Sequence, residues 1–311
     1  MRQSTAFPDR ADRLDAIAAD MDVWDSYPLL KTARLDPADY KRLRNAVNLY
    51  LYACLDNFYG NQSFDLHDNL FDTCADDIAG LPNVTPNGLV LPKKPTYLAY
   101  NLIHATVADI FGGLGLQPHI KSIHAPINIR LVNGTPNPAV DGRARASAKM
   151  HSDMWAGEPA NAVMVFLPVF GEYGQIGIKW IEPRNFPAEL MRPLKDFDEG
   201  LHLIEGGREY DAAFNPGDIV LADPYLIHAT QKSAAGLRLS IDFRFLTAQN
   251  LESDAPAPGT RNRNYFSYED WADIGEGRIL TTEAPLAPFE GEDVAISNDY
   301  AAPFEIKSLD D

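Results

Sequence analysis

Cysteine is almost absent from this chain, with only Cys54 and Cys74 among 311 residues. Two thiols make no disulfide framework, so the pair reads as buried, reduced cysteines in a reducing compartment. Long apolar runs are also missing, and none approaches the ~20 residues needed to cross a bilayer. The opening MRQSTAFPDRADRLDA carries no apolar h-region, so no secretory leader is expected and the chain reads as cytoplasmic. Positive charge is scarce: 27 Lys and Arg face 44 Asp and Glu, a net charge of −17. Such a surface repels nucleic acid and acidic membranes, which leaves small molecules as the expected partners. An anionic ligand would need local cations to overcome the global field, so any buried Arg or Lys is informative.

What is present divides near residue 120. Before it, Leu43, Val47, Tyr50, Leu51, Cys54 and Phe58 follow the 3.6-residue period of an amphipathic helix from Tyr40, with DPAD supplying its cap. Residues 96–113 are apolar nearly all round and stop at Gly-Gly, as expected of a helix buried on most sides. After it come short β-rich runs at 127–132, 148–155, 161–170, 176–182, 218–229 and 237–245, broken by Gly, Pro and Asn. Short strands with turns between them predict a sandwich or barrel. Residues 133–146 read as a long surface loop, a candidate lid. The last sixty residues, Pro- and Asp-rich with aromatics such as Trp271, read as an irregular wrap over the core or as the interface arm of a homo-oligomer. No internal repeat is apparent. We therefore expect one domain, with 1–120 mostly helical support, 121–246 the β core and 247–311 the wrap.

The sharpest local signal is KMHSDMW, residues 149–155. On an extended strand His151 and Asp153 would share a face, about 6–7 Å apart along the backbone. A third donor is expected on a distant strand, and His228 at the end of PGDIVLADPYLIHAT is the best candidate. Ten residues on, LRLSIDFRF puts Arg238, Ser240, Asp242 and Arg244 on one face and Leu237, Leu239, Ile241 and Phe243 on the other. A row of charge along an inner face is costly unless it binds something. Two histidines and a carboxylate with open positions suit non-haem Fe(II), whose free positions can take a 2-oxo acid and O₂. The planar fork of Arg238 can hold the distal carboxylate of that acid, with Ser240 adding a hydroxyl.

These residues, with Arg238 at +10 from His228 and the Arg-x-Ser pair, resemble the Fe(II)/2-oxoglutarate-dependent oxygenases. PGDIVLADPYLIHAT and the helical first third look most like the phytanoyl-CoA dioxygenase-like branch. The resemblance covers roughly residues 95–246. It implies a mainly β fold with α, a double-stranded β-helix (jelly roll) with helices packed on it. It also implies that 2-oxoglutarate and O₂ become succinate and CO₂ while a second substrate is oxidised. The family's iron ligands carry over to His151, Asp153 and His228, and its cosubstrate arginine to Arg238. Asp153 stands where halogenating relatives have a small residue, which implies hydroxylation or another oxidation without halide. A similar sequence context around HSDMWAGEP points to a small polar metabolite of natural-product or sugar-related biosynthesis.

Other residues carry two readings each. Asn128 and Arg130 share a strand face and line either the pocket or a polar outer surface. Lys149 and Trp155 continue the His151 register, so a cation facing the iron and a pocket wall are expected, against a core tryptophan. Arg244 is either a substrate-carboxylate clamp or a rim salt bridge, and Arg238 has a competing structural role as partner of Asp242 or Asp153. Asp218 reads as a turn residue and His104 as a satisfied core histidine; His67, His119, His124 and His202 have no partner pattern. Two rival functions stay open: a cupin-like, non-redox metal isomerase or epimerase, which would not need Arg238, and a non-catalytic binding jelly roll.

Overall fold

The computed structural model describes residues 4–60, 62–83, 89–90, 93–233, 235–254, 265–288 and 304–309. It is a mixed α/β structure with antiparallel sheets. A nine-stranded sheet is crossed in the order Val23–Tyr27, Leu30–Arg34, Asp218–Ala222, Ala162–Gly171, Leu237–Thr247, Ile120–His124, Tyr265–Phe266. Asn128–Asn133 also pairs with Leu237–Thr247, and Leu89–Val90 pairs with Asn128–Asn133. A three-stranded sheet is ordered Ile227–Thr230, Ile178–Glu182, Arg208–Tyr210.

Two-residue alternation decides which face each side chain takes. On the central strand Leu239, Ile241, Phe243 and Phe245 join a core with Val163, Val165, Leu167, Ile219 and Leu221. That core is covered by the helices Pro37–Tyr59 and Tyr97–Gly113. The opposite face of the same strands carries Met164, Phe166, Val220 and Ala222 into a second core with Trp180, Tyr210 and Ile227 of the small sheet. Arg238, Ser240, Asp242 and Arg244 point to that second side, and all four are buried. The close approach of two strands beside Arg238 requires glycine. Gly171 has φ +94°, and a Cβ there would lie 2.0 Å from the Leu237 carbonyl oxygen.

The helix Pro37–Tyr59 begins with the Asp36 carboxylate accepting from Ala38 N at 2.8 Å, and ends on left-handed Gly60. The helix Tyr97–Gly113 is less enclosed than its composition suggested, because Leu98 and Leu102, one turn apart, face outward at 68% and 45% exposure. Four further expectations are corrected. The first third is not only helical, since its hairpin Val23–Tyr27/Leu30–Arg34 extends the large sheet. The run 218–229 is two strands in different sheets. Pro224 has no N–H to continue a ladder, and Asp223 turns the chain by accepting from Tyr225 N at 2.9 Å. Residues 148–155 form no strand, because His151 makes a single bridge and a short helix, Asp153–Ala156, follows at once. Residues 133–146 are not wholly irregular either: Asn137 caps a one-turn helix, Pro138–Asp141.

Beyond residue 247, Trp271 is buried against Phe111, Phe243 and His104, so this stretch wraps the helical side of the core. Residues 255–264, 289–303 and 310–311 of that portion lie outside the described residues. No helix among the described residues is long and apolar enough to cross a membrane.

Candidate metal centre

His151 and His228 meet backbone to backbone. His151 N donates to His228 O at 2.9 Å, and His228 N donates to His151 O at 2.8 Å. The strand Ile227–Thr230 and the segment before the helix Asp153–Ala156 are thus tied at the two histidines. Ser152, between His151 and Asp153, caps the helix Asp153–Ala156 and donates its hydroxyl to Pro224 O at 2.6 Å. Asp153 reaches the histidines from the first turn of that helix, not from a strand face. One donor atom from each of His151, Asp153 and His228 lies within 4.8 Å of the others, and the three can hold a metal ion.

Each imidazole is oriented by its other nitrogen, as metal-binding histidines commonly are. His151 Nδ1 lies 2.8 Å from Lys149 O, and His228 Nδ1 lies 3.5 Å from Leu226 O. Donation from Nδ1 to those carbonyls leaves both Nε2 lone pairs for a ligand. The His151 ring stacks on Phe197 at 4.7 Å and 5°, and Trp180 lies 5.0 Å from the His228 ring. Burial, with His228 alongside, pushes the His151 imidazole down to about 3, and burial lowers His228 as well. Burial alone would raise the Asp153 carboxyl, but the Arg244 guanidinium outweighs it and holds the group well below the usual carboxylate range. Two neutral imidazoles and an anionic carboxylate are the protonation states that metal ligation needs.

Arg238 differs in its partners from the buried Arg10, Arg13 and Arg244. Arg10 and Arg13 meet Asp223 and Asp254, and Arg244 meets Asp153 and Asp242. Arg238 is 2% exposed and has no carboxylate partner among the described residues. Its Nη1 donates to Ser240 Oγ at 3.1 Å, while its buried Nε has no hydrogen-bond partner. The cation lies 5.5 Å from the Phe166 ring centre and 5.4 Å from that of Tyr173. An unpaired guanidinium in an aromatic box costs several kcal/mol unless an anion joins it. That orphaned donor, together with the His-Asp-His set, fits a metal with an anionic chelator.

Other sequence-picked residues are placed differently. The Lys149 ammonium turns away to Asp196 at 2.9 Å and Asp198 at 2.6 Å, so the expected cation facing the iron is taken up as a clasp around Phe197. Trp155 is core: it is fully buried, donates from Nε1 to Leu190 O at 3.1 Å, and packs so closely on Gly200 that a Cβ there would lie 2.3 Å from its ring. Arg244 is neither at the rim nor open to substrate, because Asp153 and Asp242 occupy its fork. Asn128 and Arg130 bind the Asp242 carboxylate, Asn128 at 3.0 Å. The competing ion-pair role for Arg238 thus falls to Arg244 and Arg130. Phe197 and Trp180 carried no sequence signal, since aromatic stacking from a distant segment follows no local pattern. Asp242 was visible on the charged face, but its bracing role needs the tertiary pairing.

A cavity of about 430 Å³ opens next to these strands. Its walls include Thr230, two residues beyond His228, and Val132, the cross-strand neighbour of Arg238. Asp141 and Lys232 close one side with a 2.6 Å ion pair. None of His151, Asp153 and His228 lines it.

No family model and no curated protein matches this sequence. Solved structures do. Two of them are non-haem alpha ketoglutarate-dependent enzymes from nogalamycin biosynthesis, an epimerase and a carbocyclase. The epimerase SnoN of nogalamycin biosynthesis is 13% identical, with 84% of this chain and 94% of that one covered at a TM-score of 0.37. EctD from S. alaskensis, solved with 2-oxoglutarate and 5-hydroxyectoine, is 13% identical, with 92% of each chain covered at 0.37. An N-substituted L-amino acid dioxygenase from Burkholderia ambifaria AMMD is 14% identical, with 75% and 86% covered at 0.37. SnoN has also been solved with Fe³⁺ and alpha ketoglutarate.

Proposed function

We propose that this chain is a non-haem Fe(II)/2-oxoglutarate-dependent dioxygenase of the phytanoyl-CoA dioxygenase-like type, oxidising a small polar metabolite. The observation that carries this reading is the buried guanidinium of Arg238, which has no carboxylate partner among the described residues and shares its sheet face with Arg244, the partner of Asp153 in the His-Asp-His group. A metal-binding or sugar-binding module without cosubstrate would have no use for that charge. The large and small antiparallel sheets, facing each other across the site, support a double-stranded β-helix core within a single domain.

His151, Asp153 and His228 would hold Fe(II), and Arg238 with Ser240 would take the far carboxylate of 2-oxoglutarate. When bound, iron, 2-oxo acid and O₂ supply oxidation of a C–H bond, with succinate and CO₂ as co-products. The chain's own contribution is orientation and exclusion of water. Phe197, Trp180, Phe166 and Tyr173 wall the site with rings, and backbone carbonyls fix both imidazoles. The adjoining cavity lies within the size range of small-molecule sites and would admit the second substrate beside Thr230.

The test is an anaerobic titration with Fe(II) and then 2-oxoglutarate, followed by visible absorption. A weak metal-to-ligand charge-transfer band is expected. Metal binding without the band would favour a non-redox isomerase or epimerase, and absence of metal affinity would favour a binding module. A screen of metabolites for coupled succinate formation then finds the substrate.

A further inference from the structure

Asp153 is held at both oxygens. Arg244 Nε lies 2.8 Å from Oδ2 and Nη2 lies 3.1 Å from Oδ1, while Nη1 reaches Asp242 Oδ1 at 3.2 Å. Asp242 is itself braced by Asn128 and Arg130. The result is a row of alternating charge, Asp153–Arg244–Asp242–Arg130, across the strands Leu237–Thr247 and Asn128–Asn133. Carboxylate torsions are intrinsically broad, and the helix bearing Asp153 has only four residues. The fork of Arg244 is therefore what fixes the carboxylate plane.

The two oxygens are not equivalent. Oδ1 faces the histidines, 3.8 Å from His228 Nε2, and carries the longer of the two Arg244 bonds. Oδ2 carries the shorter one. We infer that Arg244 is a positioning residue that confines Asp153 to one-oxygen ligation through Oδ1, keeping Oδ2 on its own Nε. A carboxylate chelating through both oxygens would occupy a coordination position that a bidentate 2-oxo acid needs, and the fork prevents this. The inference rests on the metal reading proposed above.

Anaerobic Co(II) titration tests it in the full chain, reading both affinity and the visible d–d spectrum in wild type, Arg244→Ala, Arg244→Lys and Asp242→Asn. Arg244→Ala should weaken Co(II) binding by roughly 10–100-fold and alter the band shape. Arg244→Lys keeps the charge but cannot form the fork, so it should show the same altered spectrum. Asp242→Asn, which loosens the brace, should shift both readings in the same direction by less. If Arg244→Ala does not fold, the other two variants carry the test. Wild-type affinity and spectrum in Arg244→Ala would overturn the inference, as would a wild-type spectrum in Arg244→Lys. Failure of wild-type protein to bind Co(II) would instead overturn the metal reading on which it stands.

Discussion

Five charged side chains sit around one small volume here, and what separates their roles is pairing. Arg244, Arg130, Asp242 and Asp153 neutralise one another, whereas Arg238 is left with a hydroxyl and two rings. Arg238→Ala should therefore cut 2-oxoglutarate affinity by about 2–5 kcal/mol, the range for losing one member of a desolvated charge pair. Calorimetry should show metal affinity almost unchanged, and an equal loss of both would make Arg238 structural. His151→Ala or His228→Ala should abolish metal binding in equilibrium dialysis, since two donors make a poor site; near-normal metal content would remove that residue from the set. At this scale the His-x-Asp, the distant histidine and the Arg at +10 were legible because residue type and spacing carry the chemistry. The pairing of Lys149 with Asp196 and Asp198, and the core burial of Trp155, were not, because both depend on a segment some forty residues away.

Among elements, the turn between Asp218–Ala222 and Ile227–Thr230 matters most, for it delivers His228 to His151. It is pinned from outside the sheet. Arg10, on the N-terminal helix Pro8–Ile17, donates to both Asp223 oxygens at 2.8 and 3.0 Å, and to Asp254 at 2.9 Å. Ser152 pins the same turn through Pro224 O. Arg13 still faces Asp223 at 3.5 Å and Asp254 at 2.5 Å, so Arg10→Ala leaves these carboxylates partly compensated and should cost about 1–3 kcal/mol. Urea unfolding measures this, and a loss below 1 kcal/mol would show that the turn holds without it. Sequence alternation found the central strand and both long helices, since periods of 2 and 3.6 are local properties. It merged residues 218–229 into one strand, because an apolar run looks alike on either side of a buried turn.

For the whole molecule, protonation and metal loading govern stability together. His104 is fully buried, its Nε2 lies 2.9 Å from Trp271 O, and burial pulls it down to about 4. Its folded-state value lies below the ~6.5 of an unfolded chain, so the unfolded state binds more protons between those values. The stability His104 contributes is complete above pH ~6.5 and is lost as pH falls toward 4, on the order of 3 kcal/mol in all. His151 and His228, also lowered by burial, act in the same direction in metal-free protein. Urea unfolding of the metal-free chain at pH 7 and pH 5 should show the fall, and His104→Gln should flatten it; an unchanged slope would place the acid sensitivity elsewhere. Metal at 100 times its Kd should add about 2.7 kcal/mol at pH 7.

The sequence by itself determined the donor types, the apolar and charged faces of the central strand, and the strongly negative net charge. Each follows from side-chain chemistry and near-neighbour periodicity, which need no knowledge of the rest of the chain. The tertiary structure decided that Asp153 approaches from a helix, that Arg244 grips it while Arg238 stays unpaired, and that Phe197 and Trp180 wall the histidines. Those outcomes depend on which distant charges meet when water is excluded. That competition is settled by the packing of both sheets at once, not by any local pattern.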